Sequence, residues 1–298
     1  MHYLVTEQPN NSSSGIDALT TIEMVRLMNA EDRKVAVAVE LESEMIAKAV
    51  DAIASRIAEG GRLIYLGAGT SGRLGVLDAS ECPPTFNTPP DMVIGIIAGG
   101  AKALTTAIEG AEDDFESAIA DLQARQLSNR DVVVGIATSG RTPYVIGGLR
   151  FAREVGAFAI GLTCNPDSEL HCCSDMVIAP IVGPEVISGS TRLKAGTATK
   201  MVLNILTTAT MVSLGKTYGN WMVDLRATNV KLKARSVRIV AAITGLNEQH
   251  ATEQLMRCDG EVKTAIVAAK RSMDAGQARA LLVRSAGKLR LALELPSP

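Results

Sequence analysis

The chain has 298 residues, 47% hydrophobic, 21% charged and only 3% aromatic, with a formal net charge of -2. This is the balance of a globular protein whose core is built from Val, Ile, Leu, Ala and Met, and it offers no basic field for a nucleic acid backbone. Met1 to Asp17 lacks the basic and apolar run of a signal peptide, and the apolar stretch 201–214 carries Asn204, Thr207, Thr208 and Thr210, short of the ~20 apolar residues a membrane span needs.

In chain order, residues 18–59 read as helical, with an apolar stripe through Val37, Leu41, Ile46, Val50, Ile53 and Ile57 that stops at Gly60-Gly61. A short strand over 62–66 runs into Gly67-Ala-Gly-Thr-Ser-Gly72, and a helix over 74–79 follows. The alternation continues with a strand at 92–97, a helical stretch over 103–122 broken near Gly110, and a strand at 131–137. A helix at 144–155, strands at 157–163 and 176–181, and a long helix over 190–214 complete it. Such alternation implies βαβ units with right-handed crossovers, and so an α/β fold with a parallel sheet of about five strands.

Beyond residue 226 the strand-like runs stop. Short amphipathic helices are separated by turn signals at Gly245-Leu-Asn247, Asp259-Gly260 and Asp274-Ala-Gly276, and Asp274 with Gln277 reads as a capping box. The expected organisation is an N-terminal helical segment (1–50), an α/β domain (51–225) and a small helical domain (226–298). Helix–turn–helix DNA readers look similar, but Glu248, Glu253, Asp259 and Glu261 among the basic residues oppose that reading.

Two segments match: Leu63 to Arg73 and Val132 to Arg141 each end an apolar strand in Thr-Ser-Gly-Arg at a helix start. A helix N-terminus presents unpaired N–H groups and partial positive charge, hydroxyls add donors, and glycine lets the backbone approach an anion. Ser188-Gly-Ser-Thr-Arg-Leu-Lys194 is a third hydroxyl-rich helix start. Phosphate binding is the expectation. Gly67-Ala-Gly-Thr-Ser-Gly72 also fits the dinucleotide pattern, which requires an acid at the end of the next strand to hold a ribose. That strand ends Ile96-Ile97-Ala98-Gly99-Gly100, without one.

The five cysteines (Cys82, Cys164, Cys172, Cys173, Cys258) are odd in number and have no CxxC spacing, which points to reduced thiols in a cytoplasm. Neither metal nor cofactor is expected, since Cys172-Cys173 beside His171 has no second ligand pair at suitable spacing. His2, His171 and His250 lie outside the motifs, which leaves proton transfer to carboxylates or lysines.

The paired units and the third helix start resemble the SIS fold, a three-layer αβα sandwich that binds phosphosugars. Gly67 to Gly75 continuing into Asp78-Ala-Ser-Glu-Cys-Pro-Pro84 is similar to the N-acetylmuramic acid 6-phosphate etherase family. So are Ile97 to Gly100, Glu109 to Asp113, Ser139 to Tyr144, Gly189 to Thr197, Asn220 to Asp224 and the Thr6-Glu7 start. The resemblance implies a cytoplasmic homodimer in amino-sugar degradation and cell-wall recycling. It would cleave the D-lactyl ether of N-acetylmuramic acid 6-phosphate to N-acetylglucosamine 6-phosphate and D-lactate. The family's two glutamates fall on Glu81, as proton donor, and Glu112, as base. The matching binding positions are Thr70, Ser71, Arg73, Ser139, Gly140, Arg141, Thr142, Ser190, Thr191 and Lys194.

The chemistry agrees with two carboxyls. In the open-chain sugar the C2 proton is acidic beside the C1 aldehyde, and its removal allows elimination of the ether at C3, after which water adds back. One carboxylate must act as base and one protonated carboxyl as acid. Pro83-Pro84 is expected to end the helix that carries Glu81, and Glu112 serves as C2 base and later water activator, with Glu109 in reserve. Two rivals remain: an aldose–ketose isomerase on the same fold, and a non-catalytic sugar-phosphate sensor.

Overall fold

A computed structural model describes residues 4–225 and 230–296; His2 and the start of the expected 226–298 domain lie outside them. Strands β1 (Leu63–Gly67), β2 (Val93–Ile97), β3 (Val132–Ile136), β4 (Phe158–Leu162) and β5 (Met176–Ile178) pair in parallel in the order β2-β1-β3-β4-β5. The central strands β1 and β3 are buried at every position, which is why both read as unbroken apolar runs.

The helices of this part of the chain are α1 (Thr21–Glu40), α2 (Ser43–Ala58), α3 (Gly69–Phe86), α4 (Phe115–Ala124), α5 (Pro143–Val155), α6 (Leu170–Cys173) and α7 (Lys194–Ser213). Alternate strand residues Ile64, Leu66, Val133 and Ala159 join a core cluster with Leu122 of α4, Val145 and Leu149 of α5 and Leu170 of α6. Tyr65 points to the opposite face, where its hydroxyl donates to Asp78 of α3 (3.0 Å), and α2 packs on β5. The sheet is therefore the middle of a three-layer αβα sandwich, the SIS-type α/β class expected.

Several boundaries differ from the sequence reading. The helical run 18–59 is two helices, with a turn at Leu41-Glu42. The strand expected to reach Ile181 ends at Ile178, and the long helix opens at Lys194 rather than Ser190. The stretch 103–122 is not one interrupted helix: tight turns at Ala101–Leu104 and Ala111–Asp113 precede α4. Gly110, at φ +74°, adopts a backbone that no helix interior allows, and Asp114 then caps α4 by accepting from Ser117 N–H (3.0 Å).

The prolines do not end α3. It runs through Pro83 and Pro84 to Phe86, and stops at Asn87, whose φ of +51° is left-handed while its N–H donates to the Pro83 carbonyl (2.9 Å). A proline costs a helix the bond made by its own nitrogen. So close to the C-terminus, few later turns depend on that bond.

The described residues divide into two compact units, Met1–Ser80 with Pro90–Thr207, and Glu81–Pro89 with Thr208–Pro298. The second unit holds a short hairpin, β6 (Thr217–Tyr218) and β7 (Trp221–Met222), absent from the sequence reading. Five helices follow: α8 (Val230–Thr244), α9 (Glu248–Arg257), α10 (Val262–Arg271), α11 (Ala275–Arg284) and α12 (Leu289–Glu294). Their core contains Val240, Leu255, Ile266 and Leu281. The expected capping box opens α11: Asp274 accepts from Gln277 N–H (2.8 Å), and the Gln277 side chain accepts from Asp274 N–H (3.2 Å). Among the described residues no helix is long and apolar enough to cross a membrane.

A buried ion pair ties α1 to the start of α7. Lys194 Nζ lies 2.6 Å from Glu31 Oε2, and both side chains are nearly inaccessible. Asn10 Nδ2 donates to the same carboxylate (3.0 Å), and Lys34 reaches its other oxygen (2.6 Å). Burial alone would raise the Glu31 pKa, but the hydrogen bonds from Lys194, Lys34 and Asn10 and the charge of Lys194 bring it down from 4.5 to about 2. A carboxyl with a depressed folded-state pKa stabilises fully above its unfolded pKa and loses that contribution as pH falls through the folded value. Glu31→Gln, which strands the Lys194 ammonium, is therefore expected to cost about 3–5 kcal/mol at pH 7. Denaturant unfolding of both proteins should show the gap narrowing from pH 4.5 downward and closing near pH 2.

Candidate active site

The strand order reverses between β1 and β3. From β1 the chain crosses to β2 on one side, and from β3 to β4 on the other, so the connections diverge and leave a crevice at the carboxyl ends of these strands. Gly67 and Ile136 are register partners, so β1 and β3 end level and the two Thr-Ser-Gly-Arg segments emerge side by side.

The two segments differ in conformation. After β1 the motif lies inside α3: Thr70, Ser71, Gly72 and Arg73 form its first turn, and the bond from Gly72 N–H to the Ala68 carbonyl (3.1 Å) closes it. Ser71 is buried and Thr70 exposed. The helix start presses on the strand end so closely that a Cβ on Gly72 would sit 2.6 Å from the Gly67 carbonyl oxygen.

After β3 the motif is a turn before α5, with Gly140 N–H donating to the Ala137 carbonyl (2.8 Å). Thr142 is the N-cap residue and Pro143 occupies the first turn. Gly140 has φ +69°, and a Cβ there would lie 2.2 Å from that of Ser168, so only glycine fits. Arg141 N–H donates to the Ser139 hydroxyl (3.3 Å). Asn165 braces the turn: its Nδ2 donates to the Thr138 carbonyl (2.8 Å) and to Thr6 Oγ1 (3.0 Å), while its Oδ1 accepts from Thr6 N–H (3.3 Å). This gives the Thr6-Glu7 start a structural reason.

The third segment is organised differently. Ser190 and Thr191 occupy a half-buried turn ahead of α7. The first α7 amides, those of Lys194 and Ala195, donate to the buried Glu185 carboxylate (3.0 and 2.9 Å). The protein's own anion thus occupies this helix N-terminus, and the Lys194 ammonium is committed to Glu31. Gly196 of α7 lies near the Thr70 methyl, 3.8 Å from where its Cβ would be, which brings the first turn of α7 close to the first loop. The sequence reading missed Glu185 and Asn165. An acid shortly before a hydroxyl-rich helix start was the available signal for Glu185, and a lone polar residue after β4 gives none for Asn165.

A cavity of about 230 Å³ opens beside the first loop. Ala68, Gly69 and Arg73 line it from the β1–α3 side, and Glu109 and Glu112 from the segment after β2. Arg73 Nε donates to the Leu104 carbonyl (3.1 Å), tying the two walls together. One cation and two carboxylates thus share an otherwise apolar hollow between the first loop and the segment after β2. Glu112 is exposed, on the Ala111–Asp113 turn, and Glu81 is exposed on α3, three residues after Asp78.

Family models match along the chain. The N-terminal SIS domain of glucokinase regulatory protein matches residues 45–153, the SIS domain 112–209, and the C-terminal lid domain of glucokinase regulatory protein 219–274. Among solved structures, a phosphoheptose isomerase from Francisella tularensis shares the fold, with TM-score 0.50 and 18% identity, covering 63% of this chain and 98% of that one. Among curated relatives, the N-acetylmuramic acid 6-phosphate etherase of Rhodopirellula baltica is 60% identical over 297 residues, covering 100% of this chain and 98% of the relative. The protein of that name from Clostridium beijerinckii is 53% identical over 98% of this chain and 96% of its own length. Identity at this level along the whole chain places the protein in the N-acetylmuramic acid 6-phosphate etherase family.

Proposed function

We propose that this protein is a carbon–oxygen lyase that cleaves the D-lactyl ether of N-acetylmuramic acid 6-phosphate, giving N-acetylglucosamine 6-phosphate and D-lactate in amino-sugar degradation and cell-wall recycling. Full-length membership of the etherase family carries the substrate. The cavity that joins Arg73 of the first loop to Glu112 supports the chemistry. The phosphate rests on the first turn of α3 and on the Ser139-Gly140 turn, with Thr70, Ser71, Arg73, Arg141 and Thr142 around it. Ser190 and Thr191 supply further hydroxyls. Lys194 acts from behind, by holding the start of α7 in place through Glu31.

Glu112 takes the C2 proton of the open-chain sugar, and the electron pair moves toward the C1 oxygen. As the carbonyl re-forms, C2 and C3 become doubly bonded and the C3–O bond breaks. Glu81 gives its proton to the departing lactyl oxygen. Proton balance then assigns water activation to Glu81 rather than Glu112: Glu81 is now the carboxylate and accepts a proton from the water adding at C3, while Glu112 returns its proton to C2. Both glutamates are exposed in the single chain. A carboxyl held protonated at neutral pH must be shielded from water, and we assign that cover to the bound sugar and to a second copy in a cytoplasmic homodimer.

The rivals separate by product. An isomerase on this fold converts fructose 6-phosphate, and a sensor binds sugar phosphate without turnover; the etherase releases D-lactate from the muramate ester with N-acetylglucosamine 6-phosphate as co-product. Glu81→Gln should lower lactate release by about 10³-fold while retaining affinity for N-acetylglucosamine 6-phosphate in calorimetry; full activity would sink the assignment. Gly140→Ala, which drives a methyl into Ser168, should weaken that affinity by about tenfold or more in the same titration, and unchanged binding would remove the second loop from the phosphate site.

A further inference from the structure

The geometry assigns Asp78 as a positioning residue that holds α3 in the register the reaction needs, an inference that rests on the etherase reading above. Asp78 is buried on α3 and joins that helix to one strand and a second helix through its two carboxylate oxygens. Oδ2 accepts from the Tyr65 hydroxyl of β1 (3.0 Å). Oδ1 accepts from Asn204 Nδ2 of α7 (2.5 Å) and from Thr207 Oγ1 one turn later (3.3 Å).

The same helix begins in the first phosphate loop at Gly69 and carries Glu81 three residues beyond Asp78. A turn of α-helix rises about 5.4 Å, so any slide or rotation of α3 at Asp78 is passed to Glu81 almost undiminished. The loop end of α3 has its own anchor, the Gly67–Gly72 contact and the bond from Gly72 to Ala68. Phosphate binding therefore depends little on Asp78, and placement of Glu81 depends on it strongly. An ionised carboxylate is acceptor-only, whereas an amide also donates. Asp78→Asn would clash with the Asn204 amide in one orientation. In the other its NH2 faces the Tyr65 hydroxyl, which must then accept and turn its own proton to the more distant Leu203 carbonyl (3.5 Å), so the hold of β1 on α3 weakens and α3 would shift.

The test compares D-lactate release by wild type, Asp78→Asn, Asn204→Asp and the double exchange, with rates normalised to the folded fraction by circular dichroism. Asp78→Asn should lose at least about tenfold in kcat with KM changed by less than about twofold. The double exchange restores one donor facing one acceptor, and should return kcat to within about threefold of wild type. Tyr65→Phe, which removes one donor at constant shape, should lower kcat by about three- to tenfold at unchanged KM, and decides the matter if Asp78→Asn does not fold. The assignment is overturned by a kcat within about twofold of wild type in Asp78→Asn, or in Tyr65→Phe if that variant must stand in. A loss that the exchange fails to restore, or one appearing in KM alone, also overturns it. Absence of lactate release by the wild type would instead overturn the etherase reading, and the role of Asp78 would fall with it.

Discussion

In a parallel sheet each connection must leave the top of one strand and return to the bottom of the next, always with the same hand. The connection that leaves β1 runs outward in one direction and the one that leaves β3 in the other, so the two diverge at the carboxyl edge and leave a gap between them. The crevice follows from topology rather than from any side chain. It lies at the carboxyl edge, where α3 and α5 begin and their amides face outward. Several of the residues in the proposed site are attached to that edge. The Thr-Ser-Gly-Arg segments leave β1 and β3, Glu112 lies on the segment leaving β2, and Asn165, just past β4, braces the second loop from behind.

The protein treats its three candidate anion sites unequally. The loop after β1 begins a helix with Gly-Thr-Ser, residues that bring hydroxyls and no negative charge. The one after β3 is a glycine turn fixed by steric contact with Ser168. The start of α7 is filled by Glu185 and backed by the Glu31–Lys194 pair. A carboxylate on those amides satisfies the helix end as an incoming phosphate would, so this site is filled from within the chain. Burying an ion pair gains little net stability; its effect here is to tie α1 to the start of α7.

The fold was legible where the pattern is local and repeated. Unbroken apolar runs gave β1 and β3, glycine and proline signals gave the connections, and the Asp274–Gln277 box gave the start of α11. Errors came where tertiary contact overrides local preference. Pro83-Pro84 looked like a helix end, yet α3 continues because its buried face at Cys82 and Phe86 holds it in place. The matching letters of the two Thr-Ser-Gly-Arg segments suggested matching shapes, yet one is helix and the other turn, since Pro143 delays α5 while nothing delays α3. Within the site, motif residues were visible, but Asn165 and Asp78 act through partners far away in sequence. No spacing rule reveals those.

In the proposed reaction these features are joined by a division of labour between Glu112 and Glu81. The most direct measurement is the exchange of the substrate's C2 hydrogen for solvent deuterium, followed by NMR alongside lactate release in Glu81→Gln and Glu112→Gln proteins. The account predicts that Glu81→Gln still exchanges C2 hydrogen while releasing little lactate, because the base remains and only the acid is gone, and that Glu112→Gln does neither. Exchange persisting without Glu112, or lost together with lactate release when only Glu81 is changed, would contradict it.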